Sequence, residues 1–260
     1  MMRKLTRIIS VLFLTLMCGA AVVHATPSTT YWTTSTMDVQ PYKIWHLGID
    51  NYFTLLKDQP EAGAFGTDVG LTVGVLPYEK LQLEVGIDLI ENAYFDSKGD
   101  DHPLFFNFKF GTPEGALFPG SPGIAAGMWN IGTKSDVTNY NIIHAMVGKS
   151  IPQIGRIHVG GYSGNKDLLQ SSGDDLDTTT TNDNKEEATG FMIGWDRWLV
   201  KDKFMLAADY ASGKNAIGGG GFGLYWFFAP NASMLMGPVW YNDKGINGEW
   251  KWTTQLDVNF

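Results

Sequence analysis

His158 and Ser163, in the stretch "HVGGYSGN", are the residue types of a hydrolase in which an imidazole takes the proton of a nucleophilic hydroxyl. The stretch reads as a strand, and an odd separation on a strand places two side chains on opposite faces. They therefore do not share a proton there. Asp101 and His102 of "GDDH", and Asp174, Asp175 and Asp177 of "DDLD", are types that activate water. Consecutive acidic residues in a loop are ordinarily just solvated. No catalytic residue is assigned, and the reading leans away from an enzyme.

Two further patterns invite ligands. The segment 165–187 carries Asp167, Asp174, Asp175, Asp177, Asp183, Glu186 and Glu187, hard oxygen donors suited to Ca²⁺ or Mg²⁺, including cations that bridge lipopolysaccharide phosphates. Its spacing lacks the glycine and closing glutamate of a twelve-residue calcium loop, so a solvated acidic loop is the better reading. The run "GGGGFG" at 218–223 has no following Lys-Ser/Thr and leads into a strand, unlike a phosphate-binding loop. No metal and no cofactor is expected.

The elements that must position any chemistry are strands. In "LQLEVGIDL", Leu81, Leu83, Val85, Ile87 and Leu89 alternate with Gln82, Glu84, Gly86 and Asp88. Wound as a helix these apolar side chains would scatter, whereas a strand gathers them on one face. The same period recurs in "KIWHLGIDNYF", "DVGLTVGVL", "LFFNFKFG", "RIHVGGYSG", "GFGLYWFF" and the closing "EWKWTTQLDVNF". Strand starts are expected near residues 43, 66, 81, 104, 123, 139, 156, 189, 204, 221, 233 and 249, about twelve in all, with ten or fourteen left open. The fifth and sixth, "GIAAGMWNIG" and "NIIHAMVGK", alternate poorly, and the connection at 111–122 is long for a tight turn.

Composition limits the environment. Arg3, Lys4 and Arg7, then an apolar run to Met17 and small residues to Ala25, describe a secretory signal peptide over residues 1–25. Its removal takes the single cysteine, and leaves 16 of the 19 basic residues against 27 acidic ones, a net charge of −11. That charge argues against nucleic acid as a partner. Mean hydropathy is −0.09, and no later run approaches the ~20 apolar residues of a spanning helix.

Outward Trp, Phe and Leu on strands with no spanning helix leave one solution for a membrane. It is a closed sheet in which every backbone N–H and C=O is paired. Short connections alternate with long polar ones, as in a barrel with tight turns on one rim and loops on the other. The expected fold is all-β, a transmembrane antiparallel up-and-down β-barrel over residues 43–260, preceded by a periplasmic segment at 26–42. Tyr78, Tyr94, Trp195, Trp198, Tyr210, Trp240 and Tyr241 would form interfacial girdles.

Parity then turns Asp50, Asp68, Glu84, Asp88, Lys109, Arg156, His158, Asp196, Lys203, Asp209, Glu249, Lys251 and Asp257 toward the lumen, a mildly acidic wall suited to small solutes. The competing reading is a filled interior. It would be favoured if Asp50, Glu84 and Asp209 paired with Lys109, Lys203 and Arg156 across the bore.

The signal peptide, some twelve amphipathic strands, the short-turn and long-loop rhythm and the terminal phenylalanine together resemble the Gram-negative outer-membrane β-barrel proteins, porins among them. The resemblance implies residence in the cell outer membrane among lipid and lipopolysaccharide. It also implies a narrow diffusion channel for a small-molecule solute, with association into a homo-oligomer left open. In that class the last strand is read by the barrel-assembly machinery, which Trp252, Leu256, Val258 and Phe260 would match.

Overall fold

The computed structural model describes residue 32 and residues 34–54, 66–91, 102–172, 186–248 and 250–260. Twelve strands follow one another: β1 (Trp45–Phe53), β2 (Gly66–Gly74), β3 (Gln82–Glu91), β4 (Leu104–Thr112), β5 (Gly123–Gly132), β6 (Ile142–Ile151), β7 (Gly155–Ser163), β8 (Thr189–Val200), β9 (Phe204–Ala211), β10 (Gly219–Ala229), β11 (Ala232–Tyr241) and β12 (Trp250–Asn259). Each pairs antiparallel with its sequence neighbours, and β1 pairs with β12, so the sheet closes into an up-and-down barrel. The only helix among the described residues is one turn, Lys244–Asn247. The signal-peptide stretch 1–25 lies outside the described residues.

The strands are built by the two-residue period that the sequence displays. On β12, Lys251, Thr253, Gln255, Asp257 and Asn259 are buried inside the ring. On β10, Tyr225 and Phe227 turn inward while Phe222, Trp226 and Phe228 stay exposed. Ile143, Phe191 and Phe222 are each at least 55% exposed on the outside, far more apolar surface than a water-soluble sheet normally presents.

Closure is made at the two chain-terminal strands. Trp45 and Phe260 exchange backbone hydrogen bonds, each 2.9 Å. Beside them the Asn259 amide oxygen meets His46 Nδ1 at 2.8 Å, and the Asn231 side chain donates to the Asn259 carbonyl at 2.8 Å.

The two weakly alternating strands have physical explanations. In β5 the register against β4 shifts between Phe106 and Phe108, and Asn130 adopts a φ of 50°; this bulge breaks the period. In β6 the inward Ile142 and Met146 belong to an apolar cluster inside the bore, so both faces of the strand are apolar. The long connection after β4 is pinned: Lys149 Nζ donates to the Gly120 carbonyl at 2.8 Å and pairs with Glu114 at 2.9 Å, while the Ser150 N–H donates to Glu114 at 3.0 Å.

One girdle expectation is overturned. Tyr241 is 7% exposed and packs inside the bore with Tyr225 and Leu235. Trp198 and Trp240 do face outward, and Tyr94 lies outside the described residues.

Two outcomes follow. Asn259→Ala removes the partner of His46 Nδ1 at the seam and should lower stability by about 1–3 kcal/mol, read as a lower urea midpoint. At Glu114, partial burial pushes the carboxyl up, but the Lys149 and Ser150 hydrogen bonds outweigh it and hold it below the usual range. Its contribution is therefore full above the ordinary glutamate pKa and is lost as pH falls through the lowered value. Glu114→Gln should cost under about 1 kcal/mol at neutral pH, and the difference from the parent should vanish in acid urea titrations.

Candidate functional site in the bore

The chain before β1 enters the ring. Trp32 packs against the inward face of Gly221, where an added Cβ would fall 2.2 Å from the indole. Thr34 N–H donates to Asp209 at 2.8 Å, Met37 N–H approaches His158 Nδ1 at 3.4 Å, and Gln40 N–H donates to Glu84 at 2.7 Å. Asp38 pairs with Arg156 at 2.9 Å. The described part of segment 26–42 thus lies within the barrel, in contrast to the expected position outside it. The cause is chemical: a lone segment inside a closed sheet needs partners for its own backbone, and inward Asp209, His158 and Glu84 supply them.

This segment divides the bore. On the side of β9–β11, Met205, Ala207, Tyr225, Phe227, Leu235, Val239 and Tyr241 pack around Trp32. Near the loop end of β6–β9, Leu169 from the β7–β8 connection is fully buried against Ile142, Met146, Tyr162 and Met192. The side of β1–β4 is different: there a cavity of about 270 Å³ is lined by Asp50, Asp68, Glu84, Asp88, Lys109 and Asp257, among others. Its lining runs from Tyr52 and Ile90 near the loop end to His46, Glu84 and Lys109 near the turn end.

Local pairing sets the charge of that cavity. Glu84 meets Lys109 at 3.5 Å, and His46 Nε2 meets Asp257 at 3.2 Å. Asp88 accepts from Asn107 at 2.6 Å and reaches over Gly70, where an added Cβ would sit 2.7 Å from its Oδ1. Asp50 stands directly opposite Asp68 across β1 and β2, an arrangement that costs stability whenever both carboxyls are ionised. Among the described residues no Lys or Arg forms an ion pair with Asp50, Asp68 or Asp88.

The other inward candidates lie elsewhere in the bore. Arg156 holds Asp196 through Nε at 3.1 Å and 3.0 Å and through a second nitrogen at 2.8 Å, and His158 Nε2 is 3.3 Å from the same carboxylate. Asp209 also accepts the Gly221 N–H at 3.1 Å, and Lys251 Nζ lies 5.7 Å from the Tyr241 ring. Lys203 is not in the lumen. It sits exposed in the turn between β8 and β9, beside the Phe204 ring, because that strand ends before reaching it. Glu249 lies outside the described residues. Of the pairings that would mark a filled interior, Glu84 with Lys109 forms among the described residues.

Several lining residues escaped the sequence reading. Trp32 and Thr34 precede the first strand, where no period signals their direction. His144 lies on β6, whose alternation is masked by apolar residues on both faces. Asp101, Asp174, Asp175, Asp177 and Asp183 lie outside the described residues. Among those described, no group of three or more His, Cys, Asp or Glu is arranged to hold a metal ion.

No protein-family model and no curated protein sequence matches the chain. Three solved structures are similar to it. The NanC porin aligns at a TM-score of 0.47 and 9% identity, over 82% of this chain and 98% of that one. An outer membrane channel from Pseudomonas putida F1 aligns at 0.46 and 10%, over 91% and 100%. OmpF of Salmonella typhi, in complex with daunomycin, aligns at 0.43 and 6%, over 84% and 96%. Barrels of one form serve unrelated tasks, so the bore itself has to carry the functional reading.

Arg156 is the residue on which the turn end of this interior turns. Arg156→Ala should take the guanidinium away from the buried Asp196, 2% exposed, and lower stability on the order of 3 kcal/mol. Urea unfolding of the purified barrel measures it, and Arg156→Lys should recover only part of the loss.

Proposed function

We propose that this protein sits in the outer membrane of a Gram-negative bacterium as a narrow channel for small solutes, its path being the acidic side of the bore. The observation that carries the proposal is the cavity itself, which extends along β1–β4 inside a ring whose outer face is apolar. Such a ring has its backbone fully paired and its apolar side chains outward, the arrangement hydrocarbon requires. The segment 34–40 narrows the path, with Gln40, Glu84 and Lys109 at its turn end. Three carboxylates without a paired cation favour positive over negative solutes along that wall.

The same membrane placement gives the closing strand its role. Trp252, Leu256 and Phe260 share its outer face and would meet barrel-assembly machinery and later lipid, while Val258, of the same parity, is buried against its neighbours. The ends of the acidic loop, Asp167, Glu186 and Glu187, lie at the end opposite the tight turns, the side that faces lipopolysaccharide in this orientation.

Reconstitution into a planar bilayer tests the channel. The expected result is a small cation-selective conductance. In the double variant Asp50→Asn and Asp68→Asn, the cation-to-anion permeability ratio should fall roughly by half or more. A correctly folded barrel that passes no current would overturn the channel in favour of a filled, structural barrel.

A further inference from the structure

Residues lining the acidic cavity carry polar atoms that find no hydrogen-bond partner among the described residues: Trp32 Nε1, Thr34 Oγ1, Asp68 Oδ1, and both ring nitrogens of His144. Trp32, Thr34 and His144 are only 4%, 1% and 3% exposed. Buried polar groups are satisfied in more than about nine cases of ten, and each one left unsatisfied destabilises the fold. A cluster of them around one cavity therefore points to a polar occupant.

The chemistry of these atoms describes that occupant. Asp50, Asp68 and Asp88 are acceptors when ionised, and they call for N–H donors and positive charge. The Trp32 indole is a donor only, a neutral imidazole donates from one nitrogen and accepts at the other, and the Thr34 hydroxyl does either. Trp32 and Thr34 stand on the N-terminal segment and His144 on β6, whereas the carboxylates stand on β1–β3. The occupant is thus cationic at one end and carries a hydroxyl or similar group at the other. Tyr52, Trp129, Tyr140 and Tyr241 also line the space, and ring faces favour an organic cation. The volume, about 270 Å³, is below that of a typical pocket for a drug-sized ligand.

We propose that the cavity is a binding site for a small organic ammonium compound bearing a hydroxyl group, its ammonium on Asp50, Asp68 and Asp88 and its hydroxyl toward Trp32 and His144. This deepens the channel reading by naming the solute class, but binding does not require conduction. Within this site His144 also keeps its ring against Trp129, with centroids 4.3 Å apart. The ring contact leaves its nitrogens for the solute.

Calorimetric titration of the purified, full-length barrel in detergent tests the site, with ethanolamine as the probe and ethylene glycol and acetate as neutral and anionic comparators. Ethanolamine should bind saturably, one per barrel, and the comparators should not. Asp68→Asn should weaken binding about tenfold or more. His144→Phe, which keeps an aromatic ring beside Trp129, should weaken it several-fold. Heat-modifiable mobility of each variant on a gel checks its folding, and Asp50→Asn replaces any variant that fails. A water-filled cavity only, seen as no saturable heat with ethanolamine, overturns the proposal; so does parent-like affinity in the folded variants. A barrel that conducts without binding sinks this inference alone, whereas one that binds without conducting sinks the channel alone.

Discussion

β1 pairs with β12 from His46 opposite Asn259 to Phe53 opposite Trp252, with Trp45 and Phe260 bonded at the end of the ladder, and with that seam the sheet loses its last unpaired edge. An open edge of N–H and C=O groups would be untenable in hydrocarbon and an aggregation hazard in water. Everything else depends on that closure. The ring defines an inside, the inside gives each inward residue of every strand a common space, and that space is where the acidic wall and the apolar packing confront each other. The antiparallel pairing with an even number of strands brings the first and last strands together in opposite directions, so the seam needs no long connection across the end of the barrel.

The interior is unequal by design of its side chains. Around Trp32 the bore is packed like a globular core, with aromatic and methionine side chains in contact. Across the N-terminal segment, β1–β4 present carboxylates, a lysine and a histidine. The backbone amides of the segment reach across to Asp209, His158 and Glu84, and its side chains close one half of the ring. The packed half anchors the segment, and the cavity lies on its other side. The like-charged pair of Asp50 and Asp68 is the sort of local conflict that folds retain at functional positions.

Much of this was legible in the sequence because a barrel strand obeys one rule throughout. The alternation in 81–89 matches β3 to within two residues, and Asp50, Asp68, Glu84, Asp88, Lys109 and Asp257, of inward parity, all line the cavity. The rule fails where its premise fails. At Asn130 a bulge resets the count, and along β6 an apolar interior removes the contrast between faces. Lys203 was misplaced because parity was carried past the end of β9 into the turn. The course of residues 32–40 has no period to read, since its partners are distant side chains, and so the element that divides the bore escaped notice.

That segment comes before β1 in the chain and yet runs inside the ring that β1 completes. A sealed sheet around an inserted segment is a topological enclosure: the segment can slide out lengthwise through an end of the barrel but never sideways through the wall. Assembly therefore has an order, in which either the seam closes last around a segment already in place, or the segment threads a finished ring from one end. The indole of Trp32, broader than any other side chain on the described part of that segment, makes the second route the more obstructed one. The contents of the bore are in this sense decided at the moment the sheet is fastened.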